Sequence, residues 1–159
     1  MTEKLDEYLK QLVGTKLNRI NLATQMIILD FGKMGIHCQT WTRISKYNDI
    51  LFTTYDYQSW DEKVDTNNDE WYFFDKYQSE IVNGSVVNIY LNQLNDLTIF
   101  LDNGIKIEIF VGNGYFHYAE EQEQWRLLVD VDSKTSQHIV IYNKHIEEES
   151  IQKSYAMHS

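Results

Sequence analysis

The chain has 159 residues, a length that suits one domain with a sizeable core, and its hydrophobic content of 43% with 11 Tyr, 7 Phe and 4 Trp excludes disorder as the ground state. The formal net charge of −10 argues against a nucleic-acid partner, because binding a phosphate backbone needs Lys and Arg to displace counterions. It suits plain solubility, or a basic protein partner met through charge complementarity.

Residues 3–13 read as a short amphipathic helix. Leu5, Tyr8, Leu9 and Leu12 fall at helical spacing, Thr2 can cap its start, and Gly14 can stop it. Strand signals follow at 15–22 and 24–31. The second run ends at Gly32-Lys33-Met34-Gly35, a four-residue hairpin loop before the next strand at 36–44. Residues 49–56 form a further strand. Residues 57–80 break the pattern with a polar, turn-rich insertion in which 71–77 fits either a helical turn or a short strand.

Strands resume at 84–91. The clearest unit comes next: within Asp96–Phe110, two runs rich in β-branched and aromatic residues flank Asp102-Asn103-Gly104, a turn that tolerates positive φ. Ile105, Ile107 and Ile109 share one face, with Lys106, Glu108 and Phe110 on the other. Residues 112–124 are glycine-rich and then acidic. Residues 125–129 and 137–142 are two more strands, and the polar tail from Lys144 reads as frayed.

The two halves, about 14–56 and 84–142, resemble each other in order. Gly14 with Leu17 and Ile20 matches Gly84 with Val87 and Tyr90. Ile27–Gly32 matches Ile99–Gly104, Trp41–Ile44 matches Trp125–Leu128, and Ile50–Phe52 matches Ile139–Ile141. Each copy would be four strands, and two such sheets hide their apolar faces against each other. The expectation is a mainly β single domain over 1–159. It would be a two-sheet sandwich or partly open barrel of about eight antiparallel strands, with pseudo-two-fold duplication and a short N-terminal helix. With no proline in the chain, charge must guard the sheet edges.

Nothing in the chain has the form of a catalytic or cofactor motif. Adjacent residues on a strand point to opposite faces, so His37 and Cys38 do not act as a pair, and Cys38 reads as a small core residue. His117, His138, His145 and His158 lack metal-ligand spacing. Paired carboxylates are common in so acidic a chain, and no metal or cofactor is expected. A single cysteine excludes an internal disulfide framework. The charged first 13 residues do not form a signal sequence, no apolar run reaches the ~18 residues of a membrane span, and a cytoplasmic location is expected.

One cluster interleaves aromatics with acids: Tyr55, Tyr57, Trp60, Asp61, Glu62, Asp69, Glu70, Trp71 and Tyr72. Tyr and Trp are enriched at interface hot spots, and carboxylates beside them engage Arg or Lys on a partner. The alternative is that these rings close one end of the core while the acids face water. Glu120–Glu123 with Tyr115 and Tyr118 forms a second such patch.

The residues Gly14, Trp41, Arg43, Ile44, Gly84 and Asp96–Gly104 give most of the chain a pattern that resembles small bacterial β-rich proteins, some of them similar to immunity proteins of polymorphic toxin systems. The resemblance implies an acidic, non-enzymatic β-protein that occludes a toxin, and it transfers no functional residues. A protein-binding module for a basic partner is therefore the first expectation. A small-ligand binder or enzyme with an aromatic-lined pocket is the second, and a homodimer paired edge to edge is the third.

Overall fold

The computed structural model describes residues 3–23, 26–58, 77–112 and 122–153. Helix α1 (Glu3–Leu12) buries Leu5, Leu9 and Leu12 and ends before Gly14, which adopts φ +92°. The first half then forms β1 (Arg19–Ala23), β2 (Met26–Asp30), β3 (Met34–Cys38), β4 (Thr42–Lys46), β5 (Asp49–Thr53) and a short helix α2 (Thr54–Gln58). The second half forms α3 (Gln78–Ile81), β6 (Val86–Leu91), β7 (Leu97–Leu101), β8 (Ile105–Ile109), β9 (Trp125–Asp130), β10 (Thr135–Ile141) and β11 (Ile146–Gln152).

Strict alternation explains most of these strands. β1, β2, β3, β7, β8 and β9 bury every second residue, so each presents one apolar face and one polar face. All pairings are antiparallel. They build a six-stranded sheet, β1-β2-β3-β9-β10-β11, and a five-stranded sheet, β5-β4-β8-β7-β6. Among the described residues neither sheet closes into a barrel. The buried faces of both sheets and of α1 join one hydrophobic cluster, with Trp125, Ile36, Ile44, Ile107 and Leu97 fully covered.

The two halves share both sheets. Each was expected to build four strands of its own, but each places three strands in one sheet and crosses to the other. Exchanging β1–β5 with β6–β10 turns the strand order of one sheet into that of the other, with β11 left over.

Four local expectations are corrected. The loop after β2 spans only Phe31–Lys33, because the Phe31 N–H already donates to the Met34 carbonyl (2.8 Å) and Gly32 takes φ +91°. The run 36–44 is two strands, broken where the chain crosses between sheets. The strand expected to reach Asp56 ends at Thr53. There Thr53 and Asp56 bond reciprocally, side chain to backbone amide, in the capping box that starts α2. Within the tail expected to fray, Ile146–Gln152 is β11, paired with β10 over its whole length.

The edges are guarded, without proline, by side chains as well as charge. The Gln78 amide takes both the N–H (3.2 Å) and the C=O (2.9 Å) of Ile20 on β1. On β6, Asn88 Oδ1 accepts the N–H of Ile89 (2.9 Å), and Val86 exchanges bonds with Gly14 and Thr15. No helix among the described residues is long and apolar enough to cross a membrane.

Candidate functional site

The chain leaves the six-stranded sheet at Gln39–Trp41 and returns to it just before β9. These two crossings are bonded to each other. The Gln39 N–H donates to the Gln124 carbonyl (3.0 Å), the Phe110 N–H to the Trp41 carbonyl (3.0 Å), and the Thr40 hydroxyl to the Phe110 carbonyl. A buried threonine group completes the junction: Thr54 Oγ1 accepts the Thr42 N–H (2.8 Å) and donates to the Thr40 carbonyl (3.3 Å). The Thr42 hydroxyl also donates to the Thr40 carbonyl (3.1 Å), so all three threonine hydroxyls of this junction are satisfied, as burial requires.

This junction aims Trp41 outward. Thr42 and Ile44 take the inward positions of β4, so Trp41 and Arg43 fall on the outer face. Trp41 is 42% exposed and Tyr55, at the start of α2, is 66% exposed. Their ring centroids are 6.3 Å apart with planes tilted by 44°, within the range of favourable aromatic pairing. Arg43 lies over the Phe110 ring (5.6 Å) and binds Glu108 through Nε and Nη2 (3.1 and 2.9 Å).

Of the residues expected to form the binding surface, Tyr55 is described and exposed. Tyr57 belongs to α2, but its side chain lies outside the described residues, as do Trp60, Asp61, Glu62, Asp69, Glu70, Trp71 and Tyr72. Tyr115, Tyr118, Glu120 and Glu121 of the second patch also lie outside them. Glu123 is described, and it is an internal partner of Arg126 and Gln39 rather than an open acid. Sequence reasoning passed over Trp41 as a structural position. The signal was its parity: it shares a face with Arg43, opposite the core residue Ile44.

A second constellation sits on the outer face of the six-stranded sheet. Register sets His37 of β3 opposite Arg126 of β9, and His138 of β10 lies diagonally beyond. Arg126 binds Glu123 with both ends of its fork, and its Nη1 donates to His138 Nδ1 (3.0 Å), which places the His138 proton on Nε2. Glu149 of β11 stands 3.8 Å from Nη1. Burial and then the Arg126 charge hold both imidazoles below their ordinary value, while the bond to Glu123 pushes Arg126 up. No short sequence motif joins residues 37, 126 and 138; only strand pairing does.

This cluster is internally satisfied. Its guanidinium is engaged by Glu123, His138 and Glu149, so it presents no open cation to an anionic ligand. No group of His, Cys, Asp and Glu among the described residues is arranged to hold a metal ion. Cys38, on the other side of the same strand, is buried, and its thiol is pushed up to about 12, so it stays protonated and unreactive.

An open groove of about 340 Å³ runs between α1 and β6, lined by Asp6, Leu9, Lys10, Val13, Asn88 and Leu91 among others. It carries none of the Tyr and Trp expected of a ligand pocket at the mouth of the sandwich. Comparison with protein-family models, with curated proteins and with solved structures finds no match for this chain.

Proposed function

We propose that this chain is a non-enzymatic protein-binding module for a basic partner, of the kind exemplified by an immunity-type inhibitor of a basic toxin. The observation that carries the reading is the exposed Trp41–Tyr55 pair. It sits on a rigid junction at the point where the 57–80 segment departs. That segment holds seven of the chain's 24 acidic residues and two of its 14 Lys and Arg, which is half of the net charge of −10. Exposed aromatic anchors followed in sequence by an acid-rich segment suit a cationic protein surface: the rings supply area with little entropy loss, and net acidity steers approach.

The same reading treats the two halves as products of duplication, supported by their interchangeable strand orders. The binding surface then belongs to the half that gained the aromatic insertion.

The test is affinity capture from the native host's lysate on two columns, one carrying the wild-type chain and the other the Trp41→Ala/Tyr55→Ala variant. The expected result is a basic protein released from the wild-type column by a salt step, with binding weakened at least about tenfold in the variant. Equal capture of the same protein by both columns would remove the surface, and an acidic captured protein would remove the charge argument.

A further inference from the structure

β11 is the strand that the two halves do not share: β10 has a neighbour beyond it, whereas its counterpart β5 ends its sheet. β11 pairs with β10 without a shift from Thr135↔Gln152 to Ile141↔Ile146. Just past the two ends, the Tyr142 N–H donates to the His145 carbonyl (2.9 Å) and the Lys153 N–H to the Lys134 carbonyl (2.8 Å). Bonded and non-bonded pairs alternate along an antiparallel ladder, and both ends fix the same phase. Glu147, Glu149 and Ile151 therefore bond to β10, while Ile146, Glu148, Ser150 and Gln152 turn their N–H and C=O groups away from it. No strand among the described residues lies on that side.

The other edges differ. β1 is plugged by Gln78, and β6 by Asn88 and residues 14–15. The β4–β5 pair is bulged between Ile44 and Ser45, and the Thr53 amide of β5 is taken by Asp56. Among the described residues, β11 has neither a bulge nor a side-chain plug. It has three consecutive glutamates, Glu147 and Glu149 on one face and Glu148 on the other. Their partners are His145 (3.0 Å), Arg126 (3.8 Å) and Lys4 (3.8 Å), solvent-accessible pairs that cost little to exchange.

We propose that the outer edge of β11 docks an extended basic segment of a partner protein, which adds a seventh strand to the sheet. The inference rests on the proposed function only for the sign of the partner's charge, and it uses a different surface. Main-chain bonds to the four outward residues supply affinity, and cationic side chains on either face of the added strand meet a carboxylate. Charge selects this occupant over a second copy: the antiparallel register that overlaps two β11 strands over their whole length sets Glu149 against its own copy.

The probe is a seven-residue peptide alternating lysine and valine, with glutamate replacing lysine in the control. The expected result is salt-sensitive binding that protects the amides of Ile146, Glu148, Ser150 and Gln152 from hydrogen exchange. Ser150→Pro removes one outward N–H and none from the β10 ladder, so it should fold and bind at least tenfold more weakly, whereas Ser150→Ala should bind like wild type. If Ser150→Pro does not fold, Glu147→Lys/Glu148→Lys/Glu149→Lys serves, with the same expected loss. Unprotected outward amides, undiminished binding by the proline or lysine variant, or equal binding of the glutamate peptide would overturn the proposal. So would a concentration-dependent dimer that Ser150→Pro abolishes, which assigns the edge to a second copy. The Trp41→Ala/Tyr55→Ala variant should bind the peptide normally, which separates failure here from failure of the proposed function.

Discussion

The starts of β4 and β9 occupy equivalent places in the two halves, each just after the chain changes sheets, and each carries a tryptophan and an arginine. Trp125 is fully buried, opposite Cys38 and Ile141, and its indole N–H donates to the Asn95 carbonyl (3.0 Å). Trp41 stands outside against Tyr55. By face, the counterpart of Trp125 is Thr42, and the counterpart of Arg126 is Arg43. The tryptophan of the first half is thus one residue out of phase, and one residue is enough to move a side chain from core to solvent. One junction is closed by an indole; the other is closed by threonine hydrogen bonds, and its indole lies at the surface against Tyr55.

The sharpest way to break this comparison is to delete both rings. Trp125→Ala should cost about 3–5 kcal/mol in urea denaturation, because it leaves a large cavity. Trp41→Ala should stay within about 0.5 kcal/mol and show its effect in partner binding instead. Equal costs would mean that Trp41 is structural.

A smaller effect tests the threonine junction. Thr54→Val strips the acceptor from the buried Thr42 amide and should cost about 1–3 kcal/mol, whereas Thr54→Ser should restore most of that. A valine variant as stable as wild type would show that the junction does not depend on this bond.

The smallest effect separates the two arginines. Arg43 faces Glu108, with Lys106 nearby, while Arg126 faces two imidazoles together with Glu123, Glu149 and, near His138, Asp130. Both imidazoles are held below 6.5 in the folded chain, so the unfolded chain takes up protons first as pH falls through about that value. Their contribution to stability is constant above that pH and declines below it until the folded-state imidazoles titrate. Thermal melts from about pH 7.5 to 5 should show a decline that is reduced in His37→Asn/His138→Asn and unchanged in Arg43→Met. A double variant with the wild-type slope would refute this account.

Much of the strand pattern was legible because alternation is local. Ile105, Ile107 and Ile109 report a buried face on their own, and Asp102-Asn103-Gly104 reports its turn; Gly104 takes φ +85°. β11 was missed because Ile146–Gln152 offers only two apolar residues, and its strand state comes from β10 beside it. Of the candidate surface, the exposed Tyr55 could be named from its aromatic and acidic neighbours, whereas the exposed Trp41 was hidden by being read as the twin of Trp125.

From sequence alone came the β class, the N-terminal helix and the central hairpin, since each depends on residues close in the chain. Tertiary structure decided which sheet each strand joins, which tryptophan meets solvent, and that His37, Arg126 and His138 meet at all. Backbone pairing is nearly blind to side-chain identity, so the choice of neighbouring strand is settled only when both apolar faces are buried together.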